Sequence, residues 1–313
     1  MTGRQSHSAR ASQKNGRAEP RRTSLRPPSV KAGLKAPATT DPITLEICWN
    51  RLVGVVNEQA AALQRTSFTS IVREAGDLSA GVFDRRGYMV AQAVTGTPGH
   101  INSMALAMKH FLAACPIETL RPGDVLITND PWLTSGHLND VTICSPIFRG
   151  KECIPFFAST CHTADIGGHV LSAEAREVYE EGLQIPIMKL YEGGRPNQGL
   201  MAILRANTRL PDMVLGDFHA QIAGGAVGGE RLLEFMAEFG LERLEPLADE
   251  IIGRTERAMR QAIRALKPGV YTNEIVSDGF DEPITIRVRC EIRGDGLLVD
   301  YTGSSPGRRR GVN

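Results

Sequence analysis

The residues of this sequence that could do chemistry are concentrated in one stretch, from Asn129 to Gly168. Within it, His137, Asp140 and His162 stand at the ends of short apolar runs. Mixed nitrogen and oxygen donors of this kind suit Mn, Zn or Fe(II) better than a soft thiolate site or an all-oxygen calcium site would. The stretch therefore predicts a divalent metal site.

A predicted β-hairpin brings these donors together. Two runs rich in β-branched and aromatic residues are joined by a four-residue turn, as in a hairpin. The runs are residues 141–148 and 153–161, and the turn is residues 149–152. Pairing the runs outward from the turn places Asp140 opposite, or one residue from, Cys161 and His162. Their β-carbons are then expected within roughly 5 to 8 Å of one another.

Other side chains are weaker candidates for the same site. Asp130 ends a further apolar run, and Asp165 follows His162 by three residues, so both are possible metal ligands. His100 is a candidate catalytic residue, because it lies in a glycine-containing loop just before a predicted helix, where its side chain can face a cleft. Glu181 could act as a general base, because a carboxylate near a metal-bound water can take its proton. Taken singly, each of these residues fits a structural role at a strand end or in a loop better than a site role, except His100, which fits both equally.

The elements that would position these residues predict an α+β fold with mixed or antiparallel sheets and several long helices. Asp41 is a suitable N-cap for a long amphipathic helix with Pro42 in its first turn. A second helix, from Pro211, contains four glycines that imply close packing, since each costs about 1 kcal/mol relative to alanine. Further elements are predicted around residues 78–92, 98–115, 242–266 and 283–303. The last strands break off in a basic segment, which predicts that a C-terminal portion is missing.

Composition and charge exclude several classes of protein. The chain has 42% hydrophobic and 23% charged residues, and its net charge of +1 combines a basic start with an acidic remainder. Residues 1–40 contain nine basic residues and one acid, and this segment is predicted to be a disordered tail. Residues 41–313 are predicted to form the catalytic region, without a nucleic-acid-binding surface. No apolar run approaches the ~18 residues of a membrane span, and six cysteines without a CxxC pair indicate a reducing cytoplasm.

Several separated motifs together resemble the hydantoinase B/oxoprolinase family. They are DPITLEICWNRL, NDPW, GHLNDVTICSPIF, CHTADIGG, EGLQIP, NTR, DFHAQ and DYTGSSP, in that order. The family contains B subunits of ATP-dependent hydantoinases, the corresponding half of 5-oxoprolinase and alpha subunits of acetone carboxylases. The resemblance covers Asp41 to Asn313.

The resemblance implies a metal in the carboxylase branch, carried over here to His137, Asp140 and His162. It also implies a partner A subunit, an ATPase that uses ATP and Mg²⁺ to phosphorylate the carbonyl oxygen of a hydantoin or 5-oxoproline-like ring. The B subunit would then direct a metal-activated water to the activated carbon. This chain contains no GxxxxGK[ST] motif, which fits such a division of labour. Two alternatives remain: the alpha subunit of an acetone-type carboxylase, and a non-catalytic partner module of the A subunit.

Overall fold

A seven-stranded sheet, in which all neighbouring strands are antiparallel, lies at the centre of the structure. The structure is a computed structural model that describes residues 41–169 and 172–310, so the predicted tail lies outside the described residues. The helices are α1 (Pro42–Thr66), α2 (Ser70–Arg73), α3 (Pro98–Ala114), α4 (Val178–Glu181), α5 (Gln198–Asn207), α6 (Pro211–Glu238) and α7 (Glu245–Ala265). The predicted α+β class is confirmed.

The strands form two sheets. The central sheet has the order β2-β1-β5-β4-β3-β6-β7, and a smaller sheet has the order β10-β9-β8. The central strands are β1 (Leu78–Phe83), β2 (Met89–Gln92), β3 (Val125–Thr128), β4 (Asp140–Arg149), β5 (Glu152–His162), β6 (Met188–Glu192) and β7 (Arg195–Pro196). The smaller sheet contains β8 (Gly269–Ser277), β9 (Ile284–Arg293) and β10 (Gly296–Asp300). None of the helices in the described ranges is both long and apolar enough to cross a membrane.

Helix α1 begins where the sequence predicts. The Asp41 side chain accepts hydrogen bonds from the backbone N–H groups of Ile43 and Thr44, and Pro42 occupies the first turn. Apolar residues at helical spacing then form one buried face, which packs on the central sheet. They include Leu45, Cys48, Leu52, Val56 and Leu63.

Helices cover both faces of the central sheet. Helices α1 and α6 pack on one face, where Phe157 of β5 and Ile143 of β4 are buried. Helix α3 covers the other face, where Phe156 and Cys144 are buried. Because side chains alternate along a strand, Asp140, Thr142 and Cys144 share the α3 face. The ends of β4 and β5 on that face are where the candidate site lies.

The glycines of α6 allow close contact with the sheet, as predicted. A Cβ atom on Gly228 would lie 2.6 Å from the Phe157 ring, and one on Gly225 would lie 2.9 Å from the Ser145 hydroxyl oxygen. On the side facing α1, a Cβ atom on Gly224 would lie 2.9 Å from the Gln59 carbonyl oxygen. Larger residues at these positions would push α6 away from its neighbours.

The predicted hairpin of β4 and β5 is present, with a tighter turn and an irregular register. Arg149 pairs with Glu152, so the loop contains two residues rather than four. Between the pairs Phe148↔Cys153 and Pro146↔Phe156, one residue of β4 faces two residues of β5, one of which is Pro155. This is the geometry of a β-bulge, a position where proline is tolerated. Beyond the bulge the pairing is regular as far as Asp140↔His162.

Candidate metal centre

The carboxylate of Asp140 is the centre of a cluster of three imidazoles. Its Oδ1 lies 3.2 Å from His162 Nδ1, and its Oδ2 lies 3.1 Å from His137 Nε2. The same Oδ2 lies 3.0 Å from His100 Nε2. Asp140, His100 and His162 are buried, while His137 remains partly accessible. The structure thus brings together three residues predicted as metal ligands and one predicted as catalytic.

The backbone near the strand ends fixes these side chains. Asp140 is the first residue of β4 and His162 is the last residue of β5, and the two are direct partners in the sheet. The Asp140 N–H donates to the His137 carbonyl oxygen (3.3 Å), which turns the His137 segment back toward the strand. The Thr163 N–H donates to the Asn139 carbonyl oxygen (2.7 Å) and extends the pairing past the site.

His100 reaches the cluster from a helix rather than from the predicted loop. Helix α3 begins at Pro98, so His100 lies in its first turn with only 4% of its surface exposed. The sequence-based boundary is too late because proline is favoured in the first helical turn, and the glycine at position 99 does not prevent the helix from starting. His100 therefore points at Asp140 from a rigid element.

Asp77, which the sequence-based prediction missed, faces the same cluster. Its Oδ2 lies 4.0 Å from His162 Nδ1, and its Oδ1 lies 3.9 Å from His100 Nε2. The Thr97 hydroxyl donates a hydrogen bond of 2.6 Å to Asp77 Oδ1 and holds the carboxylate there. Asp77 directly precedes β1, just as the other strand-end acids adjoin their strands, so the same signal would have identified it.

Burial and hydrogen bonding have opposite effects on the pKa of the Asp140 carboxyl group. Burial alone would raise the pKa of its carboxyl group, but hydrogen bonds from His100 and His162 hold that pKa well below its ordinary value. For His137, burial lowers the pKa of the imidazole below its ordinary value despite the attraction of Asp140. The pair therefore presents an anionic carboxylate and a neutral imidazole, which are the protonation states that metal ligands require.

The donor set fits a divalent metal ion. One ligand atom from each of His137, Asp140 and His162 can lie within 4.8 Å of the others. Two nitrogen donors and one carboxylate oxygen leave coordination positions for other ligands, as catalytic metal sites require. Among the described residues, neither His137 Nδ1 nor His100 Nδ1 has a hydrogen-bond partner although both atoms are buried. Such unpaired polar atoms are costly in a purely structural cluster.

The structure does not bring Asp130 and Asp165 into this group. The Asp130 carboxylate accepts hydrogen bonds from Gln184 Nε2 (3.0 Å) and from the Trp132 N–H (3.0 Å). Asp165 Oδ1 forms an ion pair of 2.8 Å with Arg209 Nη1. Burial tends to raise the pKa of Asp165, but hydrogen bonds from Arg209 and Gly167 and the Arg209 charge lower it below its ordinary value. Both acids thus have structural partners of their own.

Glu181 lies next to the cluster rather than within it. Its Oε2 is 3.5 Å from the Leu138 N–H, and its charge acts on His137. It also lines a cleft of about 240 Å³, together with the exposed Trp132 and Arg176. Gly136, which directly precedes His137 in the chain, lines the same cleft.

Cys161 lies on the opposite face of the sheet from His162. It packs among the apolar residues beneath α1, and complete burial raises the pKa of its thiol well above the ordinary value. A thiol that stays protonated is a poor ligand and a poor nucleophile. The candidate centre therefore contains only nitrogen and oxygen donors.

Comparisons with known proteins agree on one family. The family model described as "Hydantoinase B/oxoprolinase" matches residues 41–313. The putative D-/L-hydantoinase B-type subunit of Pseudomonas sp. (strain NS671) is 34% identical over 280 residues, which cover 85% of this chain and 47% of that protein. The beta subunit of the caprolactamase of Pseudomonas jessenii is 31% identical over 83% of this chain and 46% of its own length. The chain spans about half the length of these curated relatives.

Solved structures show the same fold. The crystal structure of the ATP-dependent caprolactamase from Pseudomonas jessenii matches with a TM-score of 0.75 at 31% identity, covering 83% of this chain and 46% of that one. The nucleotide-free structure of an acetone carboxylase matches with a TM-score of 0.76 at 20% identity, covering 86% and 38% respectively. At that identity the second likeness concerns the fold alone.

Proposed function

The chain belongs to the hydantoinase B/oxoprolinase family, and on that premise we propose that it is the B-type subunit of an ATP-dependent amidohydrolase. Its substrate is a cyclic amide of the hydantoin or 5-oxoproline class. The observation that carries the proposal is the Asp140 carboxylate shared by His100, His137 and His162. Relatives named as hydantoinase and caprolactamase subunits support the same class of reaction.

We assign a divalent metal ion, Mn, Zn or Fe, to His137, Asp140 and His162. When bound, such an ion supplies Lewis-acid chemistry, since it polarises oxygen atoms and lowers the pKa of water. His100 is a positioning residue in this assignment. Because Asp140 is ionised, His100 Nε2 carries the proton that is donated to Oδ2, and this bond fixes the orientation of the carboxylate.

Glu181 is the proposed general base. It lines the cleft and lies close enough to His137 for its charge to act on that imidazole, and a carboxylate there can accept a proton from water as that water attacks the substrate carbonyl. Arg176 and Trp132 line the same cleft, and they offer a cation and a flat aromatic surface to a planar ring. The cleft therefore supplies binding and proton transfer, while the cluster supplies the electrophilic centre.

The nucleotide chemistry is proposed for a partner, a hydantoinase A-type ATPase subunit. Opening a cyclic amide is resisted by the stability of the amide, and phosphorylation of its carbonyl oxygen by ATP and Mg²⁺ on the partner would activate it. The names of the hydantoinase and caprolactamase relatives describe each of them as one subunit of an enzyme, which supports a hetero-oligomer. The sequence itself contains no phosphate-binding GxxxxGK[ST] motif. The chain alone is therefore expected to be inactive.

The decisive experiment is to purify the chain together with an A-type subunit, then measure its Mn, Zn and Fe content and its ATP-dependent ring opening. Hydantoins and 5-oxoproline are the substrates to test. We expect ATP hydrolysis coupled to ring opening, and loss of ring opening when the metal is removed by a chelator. A metal-free complex with full activity would instead exclude the metal site and leave the chain as a candidate non-catalytic module of the A subunit.

The alternative is a carboxylase alpha subunit, since the resemblance to the family includes that branch and an acetone carboxylase has the same fold. The same donors could stabilise an enolate for attack on an activated carboxylate instead of assisting a hydrolysis. Adding ketones to the assay, with and without bicarbonate, separates the two reactions. Turnover that requires bicarbonate would establish the carboxylase and exclude the hydrolase.

A further inference from the structure

Asn129 directly follows β3 and is completely buried. Its side chain forms three hydrogen bonds, all of them with backbone atoms. Nδ2 donates to the carbonyl oxygens of Leu138 (2.8 Å) and Leu183 (3.0 Å), and Oδ1 accepts from the N–H of Ile185 (2.6 Å). An asparagine amide carries two N–H donors and an acceptor oxygen, so it can satisfy all three backbone groups at once. Asn129 therefore ties together two segments that lie far apart in the sequence.

The two segments carry residues of the candidate site. Leu138 directly follows His137, the proposed metal ligand, and Leu183 follows Glu181, the proposed general base, by two residues. The segments also meet where the Leu138 N–H lies 3.5 Å from Glu181 Oε2. The amide of Asn129 is thus bonded next to the metal ligand on one side and close to the base on the other.

Further contacts hold the segment that carries Glu181. The Leu183 N–H donates to the Ile166 carbonyl oxygen (2.8 Å). The backbone at Gly168 approaches so closely that a Cβ atom there would lie 2.5 Å from the carbonyl carbon of Glu181. The backbone around Glu181 is therefore fixed by Asn129 and by the chain that follows His162.

We propose that Asn129 is a positioning residue, which holds the carboxylate of Glu181 in place relative to His137. The inference rests on the proposed function, in which Glu181 accepts a proton from the attacking water. Helix α4, which ends at Glu181, has only four residues, and a helix that short needs tertiary contacts to be ordered. A misplacement of about 1 Å at a reacting group can lower a rate by about 100-fold.

Burial alone would not require an asparagine at this position. A leucine has a similar size, but it would leave the backbone groups of Leu138, Leu183 and Ile185 without these partners. The loss of these bonds should lower the stability of the fold, whereas a displaced Glu181 should lower kcat. A positioning role can therefore be separated from a merely structural one by measuring both quantities.

The test is a double-mutant cycle of Asn129→Ala and Glu181→Gln in the full chain assembled with an A-type subunit. Asn129→Ala alone should lower kcat for ring opening about 10- to 100-fold, while metal content and KM stay nearly constant. In the Glu181→Gln background, Asn129→Ala should lower kcat by no more than about twofold, because residues that act as a unit are not additive.

Thr128→Val is the matched control. Thr128 precedes Asn129, is also completely buried, and donates its hydroxyl to the Ile185 carbonyl oxygen (2.8 Å). The substitution removes a buried hydrogen bond to the same segment but leaves the three bonds of Asn129 intact. It should lower the midpoint of urea unfolding without changing kcat. Equal losses of kcat in Thr128→Val and Asn129→Ala would overturn the proposal.

A second variant keeps the test decisive when Asn129→Ala does not fold. Gly168→Ala would push on the carbonyl carbon of Glu181 and should also lower kcat while the metal is retained. Gly193→Ala is its control, because the φ of Gly193 (55°) is close to that of Gly168 (51°) and its Cβ would meet no atom within 4 Å. Equal kcat values for these two variants would overturn the proposal.

The outcomes separate this inference from the proposed function. A Glu181→Gln enzyme with normal kcat would remove the general base from the proposed function, and the inference would fall with it. A slow Glu181→Gln enzyme in which Asn129→Ala has its full additional effect would overturn the inference alone. Loss of metal from Asn129→Ala would also overturn it, because Asn129 would then act through His137.

The result that establishes the inference is therefore specific. Asn129→Ala must be slow, must retain its metal, and must lose its effect once Glu181 is replaced.

Discussion

Asp140 lies directly opposite His162 because the bulge near Pro155 shifts the pairing of β4 and β5 by one residue. Continuous pairing outward from Arg149↔Glu152 would place Asp140 opposite Cys161 instead. A slip of one residue moves a side chain to the other face of a sheet. The bulge lies more than about 20 Å from Asp140 along the strand, at about 3.3 Å per residue. It thus determines which metal-donor side chains meet at the candidate site.

The metal assignment predicts the behaviour of two single substitutions. His137→Ala and His162→Ala should each lower metal affinity by at least about 100-fold. Even residues that only form hydrogen bonds to metal ligands contribute about 10- to 100-fold to the affinity. Metal content is measured by elemental analysis after dialysis, and circular dichroism checks the fold. His219→Ala is the matched control, because His219 is exposed and bonds to Tyr191 away from the cluster. Unchanged metal content in both variants would exclude the assignment.

His100 tests the positioning of Asp140. His100→Ala removes the hydrogen bond to Asp140 Oδ2 and should weaken metal binding by about 10- to 100-fold without abolishing it. His100→Gln retains a side-chain N–H donor and should restore part of the affinity. The measurement is a metal titration of both variants with a competing chelator. Complete loss of metal from both would instead indicate that His100 is itself a ligand.

The part of this site that could be predicted is set by how far apart in sequence the interacting residues lie. The hairpin, Asp140 beside His162, and the starts of α1 and α6 follow from local patterns of apolar residues, caps and turns. The contact of His100 with Asp140 spans 40 residues of sequence and depends on α3 packing across the sheet, so spacing along the chain could not reveal it. Asp130 and Asp165 show the same limit, because the side chains that pair with them, Gln184 and Arg209, are 54 and 44 residues away in sequence.

The secondary structure, like the candidate site, was predicted from the sequence only in part. The strand β8 was not identified, because its residues Val270 to Val276 alternate imperfectly and it is recognised mainly by its pairing with β9. Helix α5 and strands β6 and β7 were also missed, since they are short and lie in a segment where glycine and proline are frequent. Such elements are specified by tertiary partners more than by local propensity.

The proposed general base predicts a separation of catalysis from metal binding. Glu181→Gln should lower kcat of the assembled enzyme by about 100- to 10,000-fold, the usual contribution of a general base, while metal content stays constant. Glu177→Gln is the matched control, because Glu177 lines the same cleft and is exposed. The measurements are steady-state ring opening and elemental analysis. A Glu181→Gln enzyme with normal kcat would leave Glu181 with a structural role only.

The packing of α6 predicts opposite effects for two alanine substitutions. Gly228→Ala should destabilise the fold by about 1–3 kcal/mol, because its Cβ would lie 2.6 Å from the Phe157 ring. Gly54→Ala in α1 meets no atom within 4 Å and should stabilise by up to about 1 kcal/mol through helix propensity. Urea unfolding at equilibrium compares the two free energies. Equal effects would mean that α6 can move away from β5 at little cost.

The ion pair of Asp165 and Arg209 predicts a dependence of stability on pH. The folded-state pKa of Asp165 is below its ordinary value, so its ionised carboxylate stabilises the folded protein. This stabilisation is fully present above the unfolded-state pKa of about 3.9, and it is lost as the pH falls through the lower folded-state pKa. Asp165→Asn should therefore cost about 1–2 kcal/mol at pH 7, a modest figure because Arg209 is more than half exposed. Below about pH 4 the difference between variant and wild type should shrink.

Unfolding by urea at a series of pH values measures this difference. Asp212→Asn is the control for an exposed ion pair, because Asp212 pairs with Arg205 at 2.8 Å where both side chains are largely in solvent. That variant should change stability by less than about 0.5 kcal/mol at any pH. If Asp165→Asn gave a difference that stayed constant from pH 7 to pH 3, the loss would come from packing rather than from the charge. The role of Asp165 would then have to be sought outside its pairing with Arg209.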